Sequence, residues 1–309
     1  MSSLSVGIVG LPNSGKSTLF NALMMRQIAQ VAEYPYTTIE PNVGVVEVPD
    51  AHLSLIADRL SIPKRVPAAI KFIDIAGLIK GAHRGEGLGN QFLGHIREVD
   101  AILHVVRAFT STSSGQAITH VMGDINPVRD VEIVNLELEM AEIKKPTIYV
   151  LNVSENQLNS TPMIQIIGKI KDIYKSKVLM VCAKLESELF ELSEEEQESY
   201  LFELGVEQSG LDQVILASYK LLDLISFFTI AGGKQAQAWP VRQGTTMIEA
   251  GSIVHTDFAK GFIAAEVIEW QKLIDCGSWH DAKENGFVHT AGRDEEVKDG
   301  EVIEFKFRV

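Results

Sequence analysis

Over the first two thirds of the chain, short apolar runs rich in β-branched residues alternate with stretches of helical periodicity. The runs LSVGIVG (4–10), GVVEV (44–48), AIKFIDI (69–75), AILHVVR (101–107), PTIYVLN (146–152) and KVLMVCA (177–183) predict strands. Between and after them, helices are predicted near 16–26, 91–98, 128–142, 161–174, 187–204 and 209–225. Such alternation marks an α/β fold with a mainly parallel sheet covered by helices on both faces. After residue 225 the texture changes to a hairpin-like start, a short helix, a further strand and the alternating terminal run VKDGEVIEFKFRV, with a turn at Asp299-Gly300. Strands wrapped around a short helix in roughly 85 residues predict a small β-grasp domain. The pattern thus divides the chain into domains at 1–225 and 226–309.

Composition narrows the picture. A chain of 309 residues can bury a sizeable core in two domains, and 46% hydrophobic with 22% charged residues describes an ordinary globular protein. The net charge of −13 excludes a surface that binds nucleic acid everywhere, so any RNA contact must be a local basic patch. Much of the acid lies in LESELFELSEEEQESYLFEL (185–204), where carboxylates spread around a predicted helix and read as a solvated face. Cys182 and Cys276 lie far apart without a CxxC spacing, which fits a reducing, cytoplasmic setting. MSSLSVGIVG has neither a basic region nor a long apolar one, so no signal peptide is expected. No apolar run approaches the roughly 18 residues of a membrane span, so no membrane is expected as a partner, and the acidic balance makes DNA an unexpected one.

The chemistry is concentrated in GLPNSGKST (10–18), which fits G-x-x-x-x-G-K-[ST] between a predicted strand and a predicted helix. Glycines let backbone N–H groups of Asn13, Ser14, Gly15, Lys16, Ser17 and Thr18 wrap phosphates, and the helix N-terminus adds positive potential. Lys16 is expected on the β/γ-phosphates and Ser17 on Mg²⁺. FIDIAG supplies D-x-x-G: Asp74 for the Mg²⁺ shell and the Gly77 N–H for the γ-phosphate. In YPYTTIEPNVG, Thr38 is the expected second hydroxyl on the metal, with Thr37 as the alternative.

Together GLPNSGKSTLFNAL, YPYTTIEPNVG, DIAGLIKGAHRGEGLGNQFLGHIREVDAILHVVRAF and NVSE resemble the Obg-like ATPase (YchF) family. The segments from AWPVRQGTT to VKDGEVIEFKFRV resemble that family's C-terminal TGS domain, a β-grasp fold. The resemblance implies an Obg-type P-loop domain that hydrolyses ATP in preference to GTP and associates with ribosomes. It also implies that Asn152 and Glu155, in NVSE (152–155), recognise the base. GTP-reading relatives carry Asn-Lys-x-Asp there; this chain has Val153 for Lys and Glu155, one methylene longer, for Asp. Cys182-Ala183 resembles the loop that borders the base, or else is a core cysteine at a strand end. Leu78 stands where Ras-type enzymes place a water-orienting Gln, so catalysis needs another group, and the resemblance points to His120. The alternative for His120 is an ordinary loop histidine. Asn13 is the position at which potassium-activated relatives hold K⁺, or a loop-capping asparagine. Family members usually insert a coiled-coil arm before the fifth strand, whereas here EMAEIKKPTIYVLN passes straight from helix to strand. In GGKQAQAWPVRQG, Lys234, Trp239 and Arg242 form a candidate ribosomal RNA contact, with Trp239 in the β-grasp core as the alternative. Three functions stand open: a Mg²⁺-dependent ATPase, an Obg-type GTPase, or a binding module switched by nucleotide.

Overall fold

The computed structural model describes residues 4–26, 42–75, 88–109 and 124–308. In chain order the first part comprises β1 (Ser5–Val9), α1 (Lys16–Met25), β2 (Val43–Glu47), α2 (Ala51–Arg59), β3 (Lys64–Val66), β4 (Ala69–Asp74), α3 (Leu88–Glu98), β5 (Ala101–Arg107) and α4 (Pro127–Met140). It continues with β6 (Thr147–Asn152), α5 (Thr161–Tyr174), β7 (Val178–Val181), α6 (Ala183–Leu189), α7 (Glu194–Glu203) and α8 (Gly210–Leu221). Contacts divide the chain into two units: Met1–Glu47 with Ile70–Leu222, and Val48–Ala69 with Asp223–Val309.

The first unit is built on a six-stranded sheet in the order β2-β4-β1-β5-β6-β7. The β4–β1, β1–β5, β5–β6 and β6–β7 pairs are all parallel. β1 and β5 are buried at every position, which is why their sequences are unbroken apolar runs rather than alternating ones. One cluster packs Val9, Ile75, Phe92, Ile96, Val134 and Leu138; a second packs Val106, Val131, Leu151, Val153, Ile170 and Leu185. β2 and β4 lie on one side of β1, and β5, β6 and β7 on the other. The loop leaving the carboxyl end of β1 therefore stands at the switch point where α/β sheets place their ligands. α4 ends at Met140 and β6 begins at Thr147, so a short connection joins helix to strand.

The second unit adds β8 (Leu224–Ala231), β9 (Gln235–Arg242), α9 (Met247–Val254), β10 (Phe262–Glu269), β11 (His289–Ala291) and β12 (Glu301–Phe307). Its sheet runs β11-β10-β12-β8-β9-β3. β8 and β9 form an antiparallel hairpin, turned by Gly232 and Gly233 at φ 54° and 71°, while β12 lies parallel to β8. Met247 and Ala250 of α9 bury against Phe227, Val241, Ala265, Ile303 and Phe305, which gives the β-grasp arrangement. β3 extends this sheet in parallel with β9, and His52 of α2 stacks 4.3 Å from Trp270.

The structure departs from the sequence reading in three places. Residues 187–204 form two helices, α6 and α7, separated where Ser193 and Glu196 make a capping box. The helix expected to 225 ends at Leu221, and β8 starts at Leu224. α2 and β3 were not foreseen, and they pack with the C-terminal unit rather than with the domain drawn as 1–225. Among the described residues no helix is long and apolar enough to cross a membrane.

Candidate functional site

The loop after β1 is shaped by close approaches. A Cβ at Gly10 would lie 2.3 Å from the Val105 carbonyl oxygen, and one at Gly15, where φ is 92°, would lie 2.0 Å from Asn152 Nδ2. Asn13 takes the left-handed conformation at φ 63°, open to a short polar side chain. Lys16 is buried and donates from Nζ to the Leu11 carbonyl at 3.0 Å. Burial lowers its pKa, against the opposing pull of Asp74. The ammonium is thus drawn out of water and tethered by a neutral acceptor, ready for exchange with an anion. Ser17 and Thr18 are exposed at the start of α1, while the buried Ser14 hydroxyl has no partner among the described residues.

Asp74 closes the metal side. It ends β4, next to β1, and Ser17 Oγ donates to its Oδ2 at 3.1 Å. Its Oδ1 is buried without a hydrogen-bond partner among the described residues. Burial raises the Asp74 pKa, with Ser17 and Lys16 acting against it. A hydroxyl beside a carboxylate with one unsatisfied oxygen is a hard-oxygen set that suits Mg²⁺. Thr38 (with its alternative Thr37), Gly77, Leu78 and His120 lie outside the described residues.

On the base side, Asn152 ends β6 and uses both ends of its amide. Nδ2 donates to the Ser14 carbonyl at 3.0 Å, and Oδ1 accepts from Ala183 N at 3.2 Å. Asn152 therefore fastens the phosphate loop to the loop after β7. Val153 points the other way, into the apolar core, so this position cannot present a side chain over a base. Glu155 is exposed, in a short 3₁₀ turn (Glu155–Gln157) capped by Ser154, and accepts a hydrogen bond from Tyr200 at Oε1, 3.0 Å. The turn is held by Gln157, which donates to the Ala108 carbonyl at 3.0 Å. Cys182 is buried at the N-cap of α6, and burial pushes its thiol pKa up.

Sequence reasoning missed Gln157 and Tyr200, because Tyr200 lay in a stretch read as solvated helix. It also missed His104, fully buried on β5 with neither ring nitrogen bonded among the described residues. In the second unit, Trp239 stacks on Phe227 at 6.5 Å and donates to Thr229 Oγ1 at 2.9 Å, so its ring serves the unit's own packing.

A glycine loop at the switch point, a lysine within it, an aspartate on the adjacent strand and an asparagine bracing the base side define a P-loop nucleotide-binding protein of the G-domain class. The profile described as "50S ribosome-binding GTPase" matches residues 5–153, and YchF-GTPase_C, described as "Protein of unknown function (DUF933)", matches 224–308. The protein called "Ribosome-binding ATPase YchF" of Bacillus subtilis (strain 168) is 40% identical, over 99% of this chain and 100% of its own length. Its namesake in Escherichia coli O157:H7 is 38% identical, over 98% of this chain and 99% of its own. The solved structure of the Schizosaccharomyces pombe YchF GTPase superposes with a TM-score of 0.83 at 30% identity, covering 98% of both chains. The chain belongs to the YchF family. The B. subtilis alignment runs over 370 positions against 309 residues here, so the relative carries at least 61 residues with no counterpart, in keeping with an absent arm.

Proposed function

We propose that this protein is a Mg²⁺-dependent ATPase that splits ATP into ADP and phosphate and works in association with ribosomes, in the cytoplasm. Lys16 leaves the Leu11 carbonyl for the β/γ-phosphates, and the backbone N–H groups of Asn13 to Thr18 line the phosphate chain. Ser17, Asp74 and Thr38 would hold the Mg²⁺, which when bound would neutralise charge on the phosphate chain. Gly77 meets the γ-phosphate, and His120 takes the water-orienting role that Leu78 cannot fill. Asn13 adds a ligand for K⁺ beside the phosphates.

The observation that carries the choice of ATP is the base loop. A GTP site needs an aspartate to accept from guanine N1–H and the 2-amino group, with a lysine over the base. Here the lysine position is a buried valine, and the carboxylate is a longer glutamate already engaged by Tyr200. Adenine needs no such pair of acceptors. The names of the B. subtilis and E. coli relatives support both the ATPase activity and the ribosome. The alternative GTPase reading is favoured by the names of the matched G-domain profile and of the S. pombe structure.

Phosphate release from ATP, measured with and without ribosomes, tests the proposal. Release is expected to rise with ribosomes and with potassium over sodium. It should vanish with tight Mg-ATP binding in Lys16→Ala and Ser17→Ala, and fall without loss of binding in His120→Ala. Mutants at Lys16 and Ser17 that bind ATP like wild type would overturn the phosphate site. Binding without ribosome-stimulated turnover would leave a nucleotide-switched binding module instead.

A further inference from the structure

Tyr200 and Glu155 come from separate elements that share one core. α7 has its register set at Ser193, whose backbone N–H donates to Glu196 Oε2 at 2.9 Å. Leu201 and Leu204 then pack on the apolar cluster that contains Val153, two residues before Glu155. This holds the Tyr200 hydroxyl 3.0 Å from Glu155 Oε1 although the two lie 45 residues apart in sequence. The neighbouring carboxylate raises the Tyr200 pKa, so the hydroxyl keeps its proton and donates.

A carboxylate reads guanine with both oxygens, one for N1–H and one for the 2-amino group, in a parallel pair. Adenine offers a single donor on that edge, its 6-amino group, and has no N1–H. We propose that Tyr200 is a specificity-determining residue, one that positions Glu155 rather than touching the base. By occupying one lone pair of Oε1 and fixing the orientation of the carboxylate, it leaves Oε2 as the fully open acceptor, which matches one donor from adenine and leaves the second donor of guanine without a parallel partner. The unpaired donor is what disfavours GTP, at a cost set by desolvation of that group. This inference rests on the reading that Glu155 meets the base.

The test is equilibrium titration of the full chain with Mg-ATP and Mg-GTP, for wild type, Tyr200→Phe and Glu155→Ala. Phe keeps the ring and its packing and removes only the hydroxyl. The expected result is that Tyr200→Phe lowers the ATP-over-GTP preference by about three- to tenfold through tighter GTP binding. Loss of affinity for both nucleotides in equal proportion would show that Tyr200 only docks α7, and would overturn the inference. So would an unmoved ratio in Tyr200→Phe while Glu155→Ala changes affinity. A Glu155→Ala protein that binds both nucleotides like wild type would overturn the underlying base-site reading, and the inference with it.

Discussion

His104 shows how one buried side chain sets a property of the whole protein. It lies beneath the nucleotide loop on β5, beside Tyr149 at 5.4 Å, and both ring nitrogens lack partners among the described residues. Burial first, and the Lys16 charge second, lower its pKa from 6.5 to about 3. A lowered folded-state pKa means that the unfolded chain binds the extra proton. The stabilisation is complete above pH 6.5 and is lost as pH falls towards 3. At pH 5 the loss reaches about 2 kcal/mol, from roughly 1.4 kcal/mol per pH unit. His104→Leu should therefore flatten the acid limb of urea-unfolding midpoints measured between pH 7 and pH 5. An acid limb as steep as that of wild type would contradict it. At this scale the phosphate loop was legible in sequence because its glycines, lysine and serine act through local backbone geometry. The roles of Asn152 and Tyr200 were not, since each depends on a contact 138 or 45 residues away that only packing creates.

Among the elements, the junction of the phosphate loop with β6 is the most demanding. Gly15 combines φ 92° with an Asn152 amide that stands where a Cβ would go, 2.0 Å away. Gly15→Ala must displace Asn152 and release its bonds to Ser14 and Ala183. The expected cost is about 2–4 kcal/mol of stability, from backbone strain and two lost hydrogen bonds, with nucleotide binding lost as well. Thermal melting and Mg-ATP titration check this, and a variant with wild-type values in both would show the junction to be dispensable. The elements of the sheet were legible because buried parallel strands leave continuous apolar runs. The break between α6 and α7 was not, since helical periodicity resumes directly after the Ser193 capping box and hides it. α2 and β3 were missed because they are short, at nine and three residues, and their burial comes from partners far along the chain.

Across the whole molecule, the excursion Val48–Ala69 decides how the chain can be divided. Leu53, Ile56 and Val66 are buried, and β3 pairs with β9 of the C-terminal unit. Cutting after residue 225 leaves these side chains without that unit, each worth about 1.5–3 kcal/mol of burial. A 1–225 fragment is expected to bind a hydrophobic dye and to self-associate in sedimentation. A monodisperse fragment that binds no dye would contradict the division. The RNA contact expected of Lys234 and Arg242 is thus better probed by surface substitutions than by deletion. The base loop is governed by the same long-range packing: Val153 belongs to the core, so Val153→Lys would bury an ammonium instead of restoring a GTP site. Side-by-side equilibrium titration of the wild-type chain with Mg-ATP and Mg-GTP decides whether this loop reads adenine. ATP is expected to bind more tightly by roughly ten- to a hundredfold, the worth of one unpaired guanine donor; equal affinities, or tighter GTP, would show that the loop does not select adenine.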